Sequence, residues 1–167
     1  MQSLDKIDFC QSKTWQLHSI DANNLNRILC NWWTNTEIEH FPGPQPVSIE
    51  RKHLSSLSTN NYRVCEKTDG ERHLFACVKY LDSTLAVLIN RKQEVILLPI
   101  IGANDIFAGT LLDGEIVKNK SKNTYKYIVY DCVRAFGEST ISGTHMERMQ
   151  AATTIVSQIQ TTQRSLF

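Results

Sequence analysis

A chain of 167 residues, 41% apolar and 21% charged, is long enough to bury one core and has the composition of an ordinary globular protein. Its formal net charge of +1 excludes a global basic field, so any binding to nucleic acid or membrane has to be local. No apolar run approaches bilayer length, and the charged start, with Asp5, Lys6 and Asp8, lacks a secretory leader's apolar core.

Residues 1–20 carry no strong period. From Asp21 onward Leu25, Ile28, Leu29 and Trp32 recur on one helical face, with Asp21 or Asn23 as N-cap and Trp32 and Trp33 as core residues. Phe41–Ser48 contains Pro42, Pro44 and Pro46 and must be extended or turned. Ser48 then caps a short helical pattern that turns Ile49, Leu54 and Leu57 inward, and Ser58–Asn61 breaks it.

Strands follow. Tyr62–Glu66 runs into an Asp69-Gly70 turn and His73–Tyr80 returns, which puts Lys67 at a hairpin tip with its base partly buried after Val64-Cys65. Leu85–Ile89 and Glu94–Leu98 form a hairpin around Asn90–Gln93. Thr110–Lys118, interrupted by Gly114, and Tyr125–Val133 complete six strands. A glycine inside a strand marks a bulge or a close backbone approach. The last segment is a helix: Thr144 and Glu147 have capping-box spacing, and Met149, Ala152, Val156 and Ile159 share a face. Helices, then a strand block, then a helix make an α+β fold of antiparallel sheets with flanking helices, with no composition shift that marks a domain boundary.

The five cysteines, Cys10, Cys30, Cys65, Cys77 and Cys132, have no CxxC and no zinc-type spacing, as expected of reduced thiols in a soluble intracellular protein. The common phosphate-loop, dinucleotide, zinc-protease and serine-hydrolase signatures are absent. Three segments remain that could carry chemistry. Lys67 and Arg72 set an amine beside a guanidinium, a pairing suited to phosphate. In Thr110–Val117, Asp113 and Glu115 share a side of an apolar strand: they are solvated acids or a carboxylate pair facing a ribose or metal. In Tyr125–Asp131 the tyrosines are ordinary strand residues, one of which could stack on a base.

Taken in order, these segments resemble the covalent nucleotidyltransferases: mRNA capping guanylyltransferases and the ATP-dependent DNA and RNA ligases. The family's KxDGxR motif is matched by Lys67, Asp69, Gly70 and Arg72. Its apolar-DGE-apolar strand is matched by Leu112–Val117, and its aromatic-Asp pair by Tyr130-Asp131. Glu66-Lys67-Thr68-Asp69-Gly70, with the Phe41–Ser48 lead-in, is similar to the capping form rather than the ligase form. Ile89-Asn90-Arg91 resembles the family's apolar-Asp-Arg turn, with Asn90 in place of the acid.

The resemblance implies a partial, ligase-like (ATP-grasp-type) nucleotidyltransferase domain over residues 1–167, its N-terminal portion. After Asp131 there is no counterpart of the later phosphate-gripping lysine motif or of the oligonucleotide-binding-fold domain; Lys118-Asn119-Lys120 reads as a solvated hairpin end. The resemblance also implies that Lys67 attacks the α-phosphate of GTP to form lysyl-GMP, and that GMP then passes to 5′-diphosphate RNA. The chemistry needs a neutral amine, favoured by partial desolvation and by Arg72 and Arg91 nearby. By the same resemblance Arg72 and Glu115 contact the ribose and Tyr130 stacks on guanine. Asp69 and Gly70 shape the turn, Glu66 lies near the base, and Arg91 meets phosphate. A divalent metal, Mg or Mn, offsets phosphate charge. Partners would be the RNA end and possible docking to RNA polymerase or other capping subunits, with no membrane. The location would be the nucleus, or the cytoplasm for a viral protein. A ligase adenylation domain and a non-catalytic binding module stay open as alternatives.

Overall fold

The computed structural model describes residues 4–34, 41–45 and 47–161. Its first element was not expected. Strands β1 (Leu4–Phe9) and β2 (Ser12–Leu17) form a hairpin whose two turn residues, Cys10 and Gln11, both have positive φ (48° and 66°). A tight hairpin turn needs that geometry, but it is ordinarily announced by Asn, Asp or Gly, so this sequence hid it.

Helix α1 (Ser19–Thr34) buries Leu25 and Leu29 completely, as the periodicity predicts, and Trp32 and Trp33 pack partly buried against the same core. Neither Asp21 nor Asn23 caps it, since both lie inside the helix. Asp21 is instead a buried acceptor for the Tyr80 hydroxyl at 2.8 Å.

A 3-10 turn at Arg51–His53 leads into α2 (Leu54–Thr59). Glu50, not Ser48, stands at its start, donating its N–H to His53 Nδ1 at 3.0 Å. Ile49, Leu54 and Leu57 are 63%, 56% and 42% exposed, so the expected inward face does not exist. Three apolar residues over two short turns set a period, but they face inward only where another element covers them. Residues 61–70 form no strand, and Val64 is 99% exposed. Lys67 therefore sits on an extended surface segment, exposed, and not at a hairpin tip with a buried base.

The remaining strands are β3 (Glu71–Tyr80), β4 (Ser83–Asn90), β5 (Val95–Leu97), β6 (Ile100–Gly102), β7 (Thr110–Asn119), β8 (Thr124–Ala135), β9 (Glu138–Ser139) and β10 (Ile159–Thr161). Helix α3 spans His145–Gln158. Eight strands form one antiparallel sheet in the order β1-β2-β5-β4-β3-β7-β8-β9, while β6 and β10 pair separately. Five of the six expected strands are present; those not anticipated are the first hairpin and three pieces of two or three residues, too short for a period-2 signal.

Central strand β3 is buried on both faces. Leu74, Ala76 and Val78 meet α1's side, with Val87, Ile89 and Leu111; Phe75 and Cys77 meet the other, with Leu88, Ile106, Leu112 and Ile155. On α3 the inward residues are Ala152 and Ile155, with Met149 partly buried, whereas Val156 is 38% exposed. The expected interruption in β7 is real. The β7–β8 register shifts between Asp113 and Gly114, and a Cβ on Gly114 would collide with the Ile128 carbonyl and lie 2.7 Å from the Tyr127 ring. Tyr127 is pinned there by donating to the carbonyls of His73 (2.9 Å) and Leu112 (3.2 Å).

Candidate active site

Three adjacent strands bring the distant motifs together. In the β3–β7 ladder Arg72 pairs with Glu115, and in the β7–β8 ladder Asp113 pairs with Asp131. Residues 41 apart in the chain thus become diagonal neighbours on one face. Arg72 donates Nε to Asp113 Oδ1 (2.9 Å) and Nη2 to Oδ2 (2.5 Å). It also donates Nη2 to the Pro44 carbonyl (2.5 Å) and lies 4.9 Å from the centre of the Phe41 ring. The pair is nearly dry, with side-chain exposures of 12% and 1%. Burial pulls the guanidinium pKa down, but the hydrogen bond and charge of Asp113 more than reverse this, and Arg72 stays charged.

Gly70 lies against β7, and its N–H donates to Glu115 Oε2 at 3.2 Å. An added Cβ would sit 2.6 Å from the Ile116 carbonyl oxygen and 2.8 Å from Val117 Cγ2. The glycine is thus required by close approach to a neighbouring strand, not by the turn that the Asp-Gly pair suggested.

Asn90, expected as an imperfect stand-in for an acid, organises the β4–β5 turn. Its Oδ1 accepts from the N–H groups of Lys92 (3.0 Å) and Glu94 (3.1 Å), and its amide donates to Glu94 Oε2 (2.6 Å). This turn carries Arg91 and Lys92 to the mouth of the site.

On β8, Tyr130 and Asp131 are held by the start of α3. Thr144 and Glu147 form the expected capping box. The box fixes the helix so that Arg148 grips Asp131 with two bonds (2.7 and 3.0 Å), and His145 Nε2 lies 3.0 Å from the Tyr130 carbonyl oxygen. Partial burial, then the negative charge of Asp113, pushes the Tyr130 phenol well above its ordinary range, so it is a neutral ring at physiological pH.

These parts enclose an open cavity of about 930 Å³. All eight residues singled out from the sequence line it: Glu66, Lys67, Asp69, Gly70, Arg72, Arg91, Glu115 and Tyr130. So do Pro44, Gln45, Cys65, Thr68, Glu71, Asn90, Lys92, Glu94, Asp113 and Asp131. Lys92, Glu94 and the bracing Arg148 had escaped sequence reading. Asn90 at the head of a polar turn was a usable signal, whereas nothing in the spacing links Arg148 to Asp131. Among the described residues no cluster of three or more His, Cys, Asp or Glu could hold a metal ion, and no helix is long and apolar enough to cross a membrane.

An α+β domain opens a large cavity, lined by many charged residues, at a lysine beside a carboxylate-braced arginine, with room for a ligand of nucleotide size. The family model for the mRNA capping enzyme catalytic domain matches residues 13–166, which include every residue of this cavity. The chain belongs to that family.

Among curated relatives, the mRNA-capping enzyme subunit alpha of Schizosaccharomyces pombe is 37% identical over 61% of this chain and 29% of its own length. The subunit alpha of Neurospora crassa is 39% identical over 54% of this chain and 26% of its own. The mRNA-capping enzyme of Danio rerio is 27% identical over 65% and 19%. The matched region is thus less than a third of each relative's length.

Proposed function

We propose that this chain carries the guanylyltransfer site of an mRNA capping enzyme, with the ligase-like nucleotidyltransferase fold that the motifs resemble. The observation that carries this reading is that Lys67 shares one cavity with the braced Arg72, Glu115, Tyr130 and Arg91. Lys67 Nζ, after losing a proton, attacks the α-phosphorus of GTP. The nitrogen–phosphorus bond forms as the bond to the pyrophosphate oxygen breaks. A terminal oxygen of a 5′-diphosphate RNA then attacks the same phosphorus and releases the lysine, giving the cap.

Arg72, fixed by Asp113, and Glu115 meet the ribose; the neutral Tyr130 ring stacks on guanine. Asp69 and Gly70 set the approach of the Lys67 segment to β7, Glu66 lies by the base, and Arg91 meets phosphate. The lining has Lys67, Arg72, Arg91 and Lys92 against Glu66, Asp69, Glu71, Glu94, Asp113, Glu115 and Asp131, an acidic excess. A triphosphate entering it needs a divalent cation, Mg or Mn, which screens the phosphates and leaving group and arrives with the nucleotide. Lys67 is exposed, so desolvation of the amine has to come from the bound nucleotide or a covering surface, and labelling by this chain alone is slow. Action on nascent RNA fits a nuclear protein that docks on RNA polymerase or another capping subunit.

The test is incubation with α-labelled GTP or ATP and Mg or Mn. Acid-labile label from GTP, absent in Lys67→Ala, is expected. Label from ATP alone would mark a ligase adenylation domain. Label that survives Lys67→Ala removes Lys67 as the nucleophile, and no label at all marks a binding module or an incomplete enzyme.

A further inference from the structure

Between Glu115 and Asp131 the chain holds Lys118, Lys120, Lys122 and Lys126 and no acid, a local excess of positive charge in a protein whose total is only +1. These residues form the β7–β8 hairpin, the same two strands that present Glu115 and Tyr130 to the cavity. All four lysines are exposed, and none forms an ion pair with a described residue. The tip is ordered. Asn119 Oδ1 accepts from the N–H groups of Ser121 (3.1 Å) and Lys122 (3.1 Å) and from the Ser121 hydroxyl (2.8 Å), and Asn123 has φ 50°.

The register puts Lys118 and Lys126 on opposite faces. Lys126 pairs with Val117, and Ile128 pairs with Glu115. Val117 and Glu115 are the side chains that Gly70 packs against, so Lys126 and Ile128 stand on the cavity side of the sheet. Lys118 pairs instead with Tyr125 and lies 5.6 Å from that ring's centre, on the opposite face. From Tyr130 the cavity face runs past Ile128, which is 38% exposed, to Lys126, about 13 Å away at roughly 3.3 Å per residue, and the turn beyond the ladder's last pair, Asn119 with Thr124, carries Lys120 and Lys122.

We propose that this face is the track for the sugar–phosphate backbone of the acceptor RNA, with Lys126, Lys120 and Lys122 answering phosphates and Ile128 resting against a sugar or base. The proposal rests on the guanylyltransfer reading for its choice of RNA. Charge complementarity, a hydrogen-bonded tip and continuity with the cavity support it, and the contacts would be independent of sequence, as required for capping any transcript.

The experiment uses the 167-residue chain, an unstructured fluorescent RNA with a 5′-diphosphate, and anisotropy between about 50 and 200 mM salt. The triple variant Lys120→Gln/Lys122→Gln/Lys126→Gln is expected to weaken binding about tenfold or more at the low-salt end. It should also lower the salt slope by about 2, since each phosphate contact on a single strand contributes about 0.7. Lys126→Gln alone should weaken binding more than Lys118→Gln alone, because only the former lies on the track. GTP labelling should be unchanged in every variant. The proposal is overturned by unchanged affinity in the triple variant, by equal losses from Lys118→Gln and Lys126→Gln, or by no RNA binding by the unaltered chain. It is equally overturned if the triple variant keeps RNA but loses a phosphoserine-rich acidic peptide, which would make the hairpin a protein-docking surface. Failure of GTP labelling in the unaltered chain counts against guanylyl transfer alone, because the anisotropy measurement does not depend on it.

Discussion

Replacing Asp113 by alanine should destabilise the fold more than a change at a cavity wall normally does. Asp113 is 1% exposed and supplies both acceptors for the Arg72 Nε–Nη2 edge, and Arg72 is itself 12% exposed. Removing one partner of a buried ion pair typically costs about 3–5 kcal/mol, because the other charge is left without a counter-ion. Arg72 keeps the Pro44 carbonyl and the Phe41 ring and borders an open cavity that admits water, so the lower end, about 3 kcal/mol, applies. For a domain of this size that is a fall in Tm of about 6–12 °C.

The informative companion is the double replacement Arg72→Met/Asp113→Leu. Replacing both charges leaves neither one unanswered, so the double variant should be at least about 2 kcal/mol more stable than the sum of the single losses implies. Urea unfolding followed by the fluorescence of Trp15, Trp32 and Trp33 measures all three variants. A loss below about 1 kcal/mol for Asp113→Ala, or strict additivity in the double variant, would refute the reasoning that a dry, mutually dependent pair ties β3 to β7.

Gly114→Ala should cost about 3 kcal/mol in the same assay, at the upper end for overpacking, because the carbonyl of Ile128 is backbone and cannot step aside. Arg148→Ala, which strips Asp131 of its bidentate partner at a half-wet site, should cost only about 1 kcal/mol. It should nevertheless raise the KM for GTP labelling several-fold by freeing the Tyr130-Asp131 end of β8, and Arg148→Lys should recover only part of this. Burial pushes the thiols of Cys10 and Cys132 up to about 11 and that of Cys77 up to about 12, while Cys65 is exposed, so a thiol reagent at pH 8 should modify Cys65 first. The folded state holds those buried protons longer than the unfolded state does. This stabilisation is therefore complete below about pH 9 and is lost as pH rises towards 11–12, which unfolding midpoints against pH would show as a decline that Cys77→Ala makes shallower.

Local and periodic features were legible in the amino-acid order. The helix around Leu25 and Leu29, the capping box at Thr144 and Glu147, the Asn90–Gln93 hairpin and the glycine irregularity in β7 each depend on residues within a few positions of one another. The motif residues fall in short runs as well, but their chemistry left bland readings open, and it was the resemblance to the nucleotidyltransferase motifs that singled out Glu66, Arg91 and Tyr130. What the chain order could not express is which runs become neighbours. Arg72 meets Asp113 across 41 positions and Arg148 meets Asp131 across 17, through ladder register and a helix start that no spacing encodes. Burial was likewise a tertiary decision. Ile49, Leu54, Leu57 and Val64 are apolar yet exposed, and Asp21, His73 and Asp113 are polar yet buried, because a side chain leaves water only where another element covers it and supplies its hydrogen bonds.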